Sequence, residues 1–592
     1  MRDISRIEIP RFAWAPQKQF KDKRPIYGFD TETIAGYARL ITASDGTYAH
    51  VDNFHECARF FFKKKYQGSL NFFYNLRYDY TAVLKHLPRN ALEELAEYGI
   101  VDYEGWRIKY IPKKFFQLKN ISDGHSVSFY DIAQFYHMPL KDAAKYVNME
   151  KLDYDVKELT EEQLYEPEAL RYAITDAVIC GRLAEYFRDM VSRLVSVRKY
   201  YSCASIAKRF VLTRGVKYTL PRDRKLLDMA LKSYQGGRFE VLQRGNFDRL
   251  YAYDINSAYP EQIAALDGCE GKIVKNKEYE PDAVHSFYKC SVDIYNVIFS
   301  PLKWQSPAGL MVYPVGEYDG VYLTKQEYEL INDLGFPIRI EEAVHIFKLE
   351  PVKPFEWFTE LYRQRQKLKR EGDELQLAYK YIMNSFYGCM IQHTKALKRV
   401  NYETPHYKIQ DGEMTFYDGR YRAGTLFNPI WASEITARTR VKLFRDFERQ
   451  ANYMVSVATD GVFLTKKSGV KVGENLGDYD YEEDAGLIIG SGIYHTENKC
   501  RFRGFGRKLD LYSALKQNQE KTLIPFRRTR PKNIKESLKS EAIGHENLNV
   551  FIEEEKVLNL NFDNKRLWER DFESARDCLN SVIPSAPIRR NS

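Results

Sequence analysis

Asp254 closes the apolar run LYAYDI, and Asp460 sits in the turn of a second apolar string, MVSVATDGVFLT (454 to 465). One carboxylate at the end of a strand is usually a turn former or a helix cap. Two of them, far apart in sequence and separated by a basic helix, can hold two divalent ions on a transferring phosphoryl group. The helix is KYIMNSFYG (380 to 388), in which Lys380, Asn384 and Tyr387 are spaced by four and three and so project from one face. That face offers Lys380 to a triphosphate and Tyr387 to a base and sugar. Asp254 itself opens DINSAYP, which predicts a strand followed by a tight turn at the Tyr-Pro pair, and MVSVATDGVFLT predicts a β-hairpin turning at 459 to 461.

A second acidic set lies in the first third of the chain. GFDTET (28 to 33) places Asp30 and Glu32 on one side of a strand, because side chains two apart share a face. NLRYD (75 to 79) adds Asp79. On an apparent helix, LRYAITDAVICGRLAEYF, Tyr172 and Asp176 stand one turn apart on the same face. Acidic pairs alone are usually solvated surface, but four carboxylates with a helical phenol suit a nuclease: the acids bind hydrated Mg²⁺ or Mn²⁺, and the phenol orients a water.

In order and spacing these strings resemble the B-family DNA polymerases, whose palm motifs run DxxSLYP, KxxxNSxYG and a DTD hairpin, and whose proofreading domain carries DxE, NxxxD and YxxxD. The likeness is closest to the protein-primed branch of phages and linear plasmids. YQGG (Tyr234, Gly236, Gly237) is similar to that branch's YxGG segment, and the 126 residues from Asp254 to Lys380 leave room for its first insertion. The resemblance implies a mechanism: Asp254 and Asp460, with the backbone carbonyl of Ile255, hold two Mg²⁺ ions, while Tyr259 stacks under the sugar and excludes a 2′-hydroxyl. Tyr387 lies against the nascent base pair, and Lys380 neutralises the triphosphate. Arg363 and Lys367, one helical turn apart, are assigned the same task from spacing. Lys151, in KLDY, is similar to the lysine of the branch's exonuclease site, and Asn75, with Tyr74 and Tyr78, would grip the single-stranded end. The implied partners are a DNA primer-template, dNTPs and a priming terminal protein, with the enzyme a monomer.

Three departures stand out. Ala458, Thr459, Asp460 and Gly461 occupy the place of Asp-Thr-Asp-Ser, so the first acid is missing. A palm reduced to a DNA-binding scaffold beside a nuclease is the alternative this leaves open. After the hairpin, Lys499, Cys500, Arg501 and Arg503 run as KCRFRG, similar to the KxRG version in some plasmid-type and primer-independent members rather than to the KxY of protein-primed relatives, which leaves the primer type open. Near Asp131, Ile132 and Ala133 stand where the family has a Ser/Thr-Leu pair.

Composition agrees. The chain has 592 residues, 44% hydrophobic and 29% charged, enough for several domains and a large core. No run of ~18 apolar residues and no signal-like start argue against a membrane span or secretion. Eight scattered cysteines with no CxxC pair predict reduced thiols in the host-cell cytoplasm rather than a zinc module. Residues 501 to 540 carry twelve Lys or Arg against three acids, a surplus of +9 that equals the net charge of the whole chain. Beside the acids such a stretch is expected to track phosphates; some of the 44 tyrosines could stack on bases.

The expected fold is α/β and α+β multidomain: a ribonuclease H-like exonuclease domain plus a right-hand polymerase of palm, fingers and thumb, with two inserted subdomains. The exonuclease spans 1–190. The palm, an antiparallel sheet with helices on one side, takes 191–265 and 431–525. Residues 266–356, strand-rich with Gly and Pro punctuation, form the first insertion, where a priming protein docks. The fingers take 357–391 as a helical pair. The second insertion, 392–430, carries a predicted Asp-Gly hairpin at 407 to 417 that would encircle DNA and open the duplex; the basic tail, 526–592, is the thumb.

Overall fold

The computed structural model describes residues 3–9, 17–154, 159–215, 220–307, 309–348, 352–397, 409–410, 413–414, 417–505, 509–539 and 544–589. It is a mixed α/β, multidomain chain. The amino-terminal part is built on an eight-stranded sheet. Strand β1 (Ile26–Ile34) carries Asp30 and Glu32 and pairs in parallel with Leu70–Phe73, which pairs in parallel with β2 (Ser126–Asp131); the outer strands are antiparallel. Between them helix α1 (Leu76–Leu84) carries Asp79, and the long α2 (Pro167–Ser192) crosses the sheet.

Helix α2 starts at Pro167, whose missing N–H costs nothing in a first turn. Its buried stripe is Ala169, Tyr172, Ala173, Asp176, Ala177 and Cys180, the i, i+3, i+4, i+7 pattern of a core-facing helix with one carboxylate set into it. Helix and β1 meet backbone to backbone: a Cβ on Gly28 would lie 2.1 Å from the Ala177 carbonyl oxygen. Only glycine permits that approach, and it is what carries Asp176 to the β1 acids.

The sheet expected to be the palm has nine strands, and its centre is β3 (Gln243–Ile255), which ends at Asp254 and Ile255. The turn that follows differs from the expected Tyr-Pro turn. It falls at Asn256 and Ser257, where Ser257 has φ 57°, and Tyr259 and Pro260 already belong to a short helix, α3 (Ala258–Ala264). Proline lacks an N–H and is tolerated in a helix's first turn, so the pair opens the helix.

Residues 266–356 form a separate antiparallel four-stranded sheet, ordered Gly271–Asn276, Ile338–Lys348, His285–Ile294 and Gly316–Thr324, with helix α4 (Lys325–Asp333) packed against it. Helices α5 (Phe358–Arg370) and α6 (Leu375–Cys389) form the expected antiparallel pair. Helix α7 (Pro429–Phe447) runs through the interior with Trp431 fully buried. In the palm sheet β4 (Met454–Ala458) and β5 (Gly461–Leu464) make the predicted hairpin, and β6 (Tyr479–Gly490) lies along the other edge of β3.

Two regions depart from simple boundaries. Within 392–430, strand Tyr417–Ala423 pairs with His393–Leu397 and, in parallel, with Ile7–Glu8 at the amino end, and Ile409–Gln410 pairs with Glu413–Met414. The predicted Asp-Gly turn at 411–412 lies outside the described residues. The carboxyl tail does not stay in one unit: β7 (Leu523–Pro531) and β8 (Phe551–Asn559) form a long hairpin, whereas β9 (Val582–Pro587) returns to pair with β3 in the palm sheet. Ile583 is buried there in an apolar cluster with Leu487 and Leu515, so apolar burial draws the end of the chain back to the palm.

Candidate functional site

Asp254 and Asp460, 206 positions apart, meet at the open end of the palm sheet. The Ile255 N–H donates to the Asp460 carbonyl at 2.9 Å, and Asp254 lies in register opposite Gly461. A Cβ at Gly461 would fall 2.4 Å from Asp254 Oδ1, so a larger residue after Asp460 would make the Asp254 carboxylate turn away from this position. Ala458 sits opposite Gly461 across the hairpin. Burial, and then the charge of Asp254, push the Asp460 carboxyl up to about 6, against the pull of Arg501 and Lys499. Lys499 Nζ lies 3.2 Å from Asp254 and 3.5 Å from Glu482. These groups line a cleft of about 1010 Å³ with Arg501 and Arg503 on its wall.

Three tyrosines from three motifs gather beside the acids. The hydroxyls of Tyr234 and Tyr387 are 2.5 Å apart, and the Tyr387 and Tyr259 rings are 4.6 Å apart. Burial raises the Tyr259 hydroxyl to about 12, with Asp460 among the charges that act on it. Gly237 packs on the acidic turn, since a Cβ there would lie 2.7 Å from the Thr459 side chain; Gly236 is open and exposed. Lys380 and Asn384 are exposed on one face of α6, as their spacing predicts.

Arg363 and Lys367 are not brought to the Asp254 turn. Both are exposed, paired with Glu360 at 3.7 Å and Glu371 at 3.9 Å, and they line a different cleft with Arg370, Lys471 and Glu474. The cation of α5 that reaches the turn is Arg365, whose Nη1 lies 3.4 Å from Ser257 Oγ and whose buried Nε has no hydrogen bond among the described residues. Two residues along a helix turn the side chain by about 200°, so Arg365 and the pair chosen by spacing lie on different faces of α5. The sequence reading also passed over Asp480 and Glu482. Asp480 is in register with Asp254, and the period-two acids of DYDYEED were the signal for it.

At the other acidic site β1, α1 and α2 converge. Thr31 donates to Asp79 Oδ1 at 2.8 Å, and Lys151 donates to the Tyr172 hydroxyl at 2.7 Å and to Asp176. Burial lifts Asp30 well above the usual carboxylate range, with Glu32, Asp176 and Asp79 adding to it; burial and Asp176 lift Glu32 to about 7. Burial likewise raises Asp79 and Asp176, the latter against the pull of Lys151. Asp176 Oδ1 is buried with no hydrogen-bond partner. Such an enclosed set of oxygens, mutually repelling and with one atom orphaned, fits a hard divalent cation. Among the described residues no group of three or more His, Cys, Asp or Glu side chains is placed to hold a metal ion by itself; Mg²⁺ ordinarily adds water or substrate oxygens to one or two carboxylates.

Asn75 heads α1 with φ 70°, and its N–H donates to Asp131 at 3.0 Å. Asp131 thus anchors this corner although the Ser/Thr-Leu pair after it is absent. The Tyr78 hydroxyl meets Thr33 at 2.6 Å, and the Tyr74 hydroxyl donates to the Met138 carbonyl at 2.7 Å, so Tyr74 is tied to the frame. Tyr154, not singled out from sequence, lies 5.6 Å from the Tyr172 ring.

The basic segment is less free than its charge suggested. Arg528 and Arg530 both pair with Glu554 across the β7–β8 hairpin, and Arg530 also holds Glu536. No helix among the described residues is long and apolar enough to cross a membrane.

Comparison with known proteins agrees with this geometry. The DNA polymerase of Acidianus bottle-shaped virus (isolate Italy/Pozzuoli) is 25% identical over 398 residues, 62% of this chain and 53% of that one. A probable DNA polymerase of Ascobolus immersus is 25% identical over 248 residues, 38% of this chain and 19% of the other. The chain therefore spans about half the length of the first curated relative and about a fifth of the second. Among solved structures, Phi29 DNA polymerase complexed with primer-template DNA and incoming nucleotide matches with a TM-score of 0.60 over 91% of this chain and 100% of that one. An orthorhombic crystal form of Phi29 DNA polymerase matches with 0.55 over 80% and 87%. At 15% identity both show a shared fold. The family model for DNA polymerase type B, organellar and viral, matches residues 102–421, more than half of the sequence, and the chain belongs to that family.

Proposed function

We propose that this chain is a DNA-directed DNA polymerase that copies the genome of a virus or related mobile element and carries its own 3′ to 5′ exonuclease. The observation that carries the reading is the meeting of Asp254 and Asp460 beside the linked Tyr234, Tyr387 and Tyr259. Asp254, Asp460 and the Ile255 carbonyl would hold Mg²⁺, which supplies a lowered pKa for the primer hydroxyl and charge stabilisation at the α-phosphate. Lys380 and Arg365 neutralise the triphosphate. Tyr259 closes the space a 2′-hydroxyl would need, and Tyr387 supports the base pair. Lys499, Arg501 and Arg503 hold the primer strand's phosphates.

In the amino-terminal domain Asp30, Glu32, Asp79 and Asp176 are the ion-holding acids of the exonuclease. Lys151, fixed on Tyr172 and Asp176, orients the attacking water with the phenol. Asn75 and Tyr78 grip the single-stranded end. A scaffold-only palm is disfavoured because Asp460, the acid next to Asp254, is retained and Ala458 faces Gly461.

Two assignments are finer still. The sheet of 266–356 docks a priming protein, and 392–430 supports strand displacement. The test is extension of a labelled primer on a gapped template with Mg²⁺: product longer than the primer requires the palm, and shortening without dNTPs requires the exonuclease. A protein that only shortens DNA would overturn the polymerase reading. A label transferred covalently from dNTP to a protein encoded beside this one would establish protein priming.

A further inference from the structure

The YQGG loop owes its shape to three buried charges, two of them supplied by the 266–356 segment. Arg440, on α7, donates from Nη1 to the carbonyls of Gln235 at 2.8 Å and Gly236 at 2.5 Å. Lys303 donates to the Ser233 carbonyl at 2.6 Å. Both cations close on one carboxylate: Glu327, on α4, accepts from Arg440 at 2.7 Å and from Lys303 at 2.6 Å. All three side chains are only 5–6% exposed. Glu327 is also anchored to its own helix, where it accepts from the N–H and hydroxyl of Thr324.

The carbonyls of the buried Ser233 and Gln235 need donors, and a lysine and an arginine provide them, the arginine reaching the more exposed Gly236 carbonyl as well. Those cations are tolerable in the interior because Glu327 answers them; without it both would lose a shared buried counter-charge. Burial works against the Glu327 carboxylate, but Lys303 and Arg440 hold it down to about 2, so it stays ionised at any working pH. The loop so fixed sends Tyr234 to Tyr387 and lays Gly237 on the turn before Asp460. A shift of the loop by a few tenths of an ångström would move both contacts, because neither has slack.

We propose that Glu327 is a positioning residue for the incoming nucleotide: through Arg440 and Lys303 it sets the YQGG loop, and through Tyr234 and Tyr387 the sugar pocket at Tyr259. This rests on reading that pocket as the nucleotide site, and it ties the 266–356 segment mechanically to nucleotide binding and selection.

The test compares full-length wild type with Glu327→Gln, which keeps the shape and removes the charge, and with Lys303→Met, which leaves the Arg440 pair. The readouts are KM and kcat for dNTP, the ratio of ribonucleotide to deoxynucleotide incorporation, degradation of single-stranded DNA, and Tm. The expected result for Glu327→Gln is a KM raised about tenfold, from one lost charge-assisted contact, and a changed sugar ratio. Degradation should stay at the wild-type rate, and Glu327→Asp should restore part of the loss. Unchanged KM and sugar ratio in a folded variant overturn the proposal. So does a parallel fall of kcat, degradation and Tm, which would mark a purely structural residue. If Glu327→Gln does not fold, Lys303→Met decides by the same readouts. Failure of the wild type to add any nucleotide overturns the assigned function instead, and is seen before any variant is made.

Discussion

At the proposed exonuclease site four carboxylates turn inward, Asp176 brought to those of β1 by a glycine-permitted contact between β1 and α2, and among the described residues Lys151 is the cation paired with them. At the palm, two carboxylates are presented outward, on a strand end and a hairpin turn, with Lys499, Arg501 and Arg503 along an open cleft. The consequence is electrostatic. Burial, with repulsion among the acids added, raises the carboxyls of the enclosed set, Glu32 to about 7, and at the palm burial and the charge of Asp254 lift Asp460 to about 6. An enclosed site suits a short single-stranded end. An open one suits a duplex that must slide.

The comparison breaks most sharply at the acids. Asp254→Ala or Asp460→Ala should lower synthesis at least about a thousandfold, about 4 kcal/mol of barrier, and leave single-stranded DNA degradation intact; Asp30→Ala with Glu32→Ala should do the reverse. Equal loss of both activities in a folded variant would show that the sites are not independent. Next in size is sugar selection. Tyr259→Val should raise ribonucleotide over deoxynucleotide insertion by about a hundredfold, read in single-nucleotide extension, and no change would place the gate elsewhere.

Two smaller effects sharpen it. Arg365→Ala should raise the KM for dNTP about tenfold, as expected for a lost charge-assisted contact, while Arg363→Ala, a solvated pair, should change it less than about twofold. The reverse order would restore the spacing-based assignment. Finally, Glu32 has a folded value of about 7 against an ordinary 4.5. The native state therefore keeps a proton that the unfolded chain has lost between those values, so metal-free stability should fall as pH rises from 4.5 through 7. Added Mg²⁺ should accordingly raise Tm by more at pH 8 than at pH 5.5, by a few degrees, in a protein carrying Asp254→Ala and Asp460→Ala. Glu32→Gln should shrink the difference, and an equal Mg²⁺ effect at both pH values would show that these acids do not carry the repulsion.

Much of this was legible in the chain. The acids of β1, the Tyr172–Asp176 pair and the 454–464 hairpin follow from short-range periodicity, which side-chain alternation and helical repeat make readable over ten residues. What was not legible shares a cause. Arg363 and Lys367 were chosen because they lie one turn apart, yet which side of α5 meets the palm depends on how Tyr362 and Arg370 pack on Glu474. The basic stretch was expected to track phosphates, and its pairing with Glu554 was not legible because that acid lies 24 residues beyond Arg530 on the returning strand.

The sequence by itself determined which residues could hold ions, phosphates and a sugar, since residue type and local spacing limit that chemistry. Only the tertiary structure decided that Asp254 stands against Gly461, that β9 returns to the palm, and that Glu327 answers Arg440 from 113 positions away. Those contacts depend on burial and close approach between distant segments. A buried charge finds its counter-charge in space, and spacing along the chain carries no trace of it.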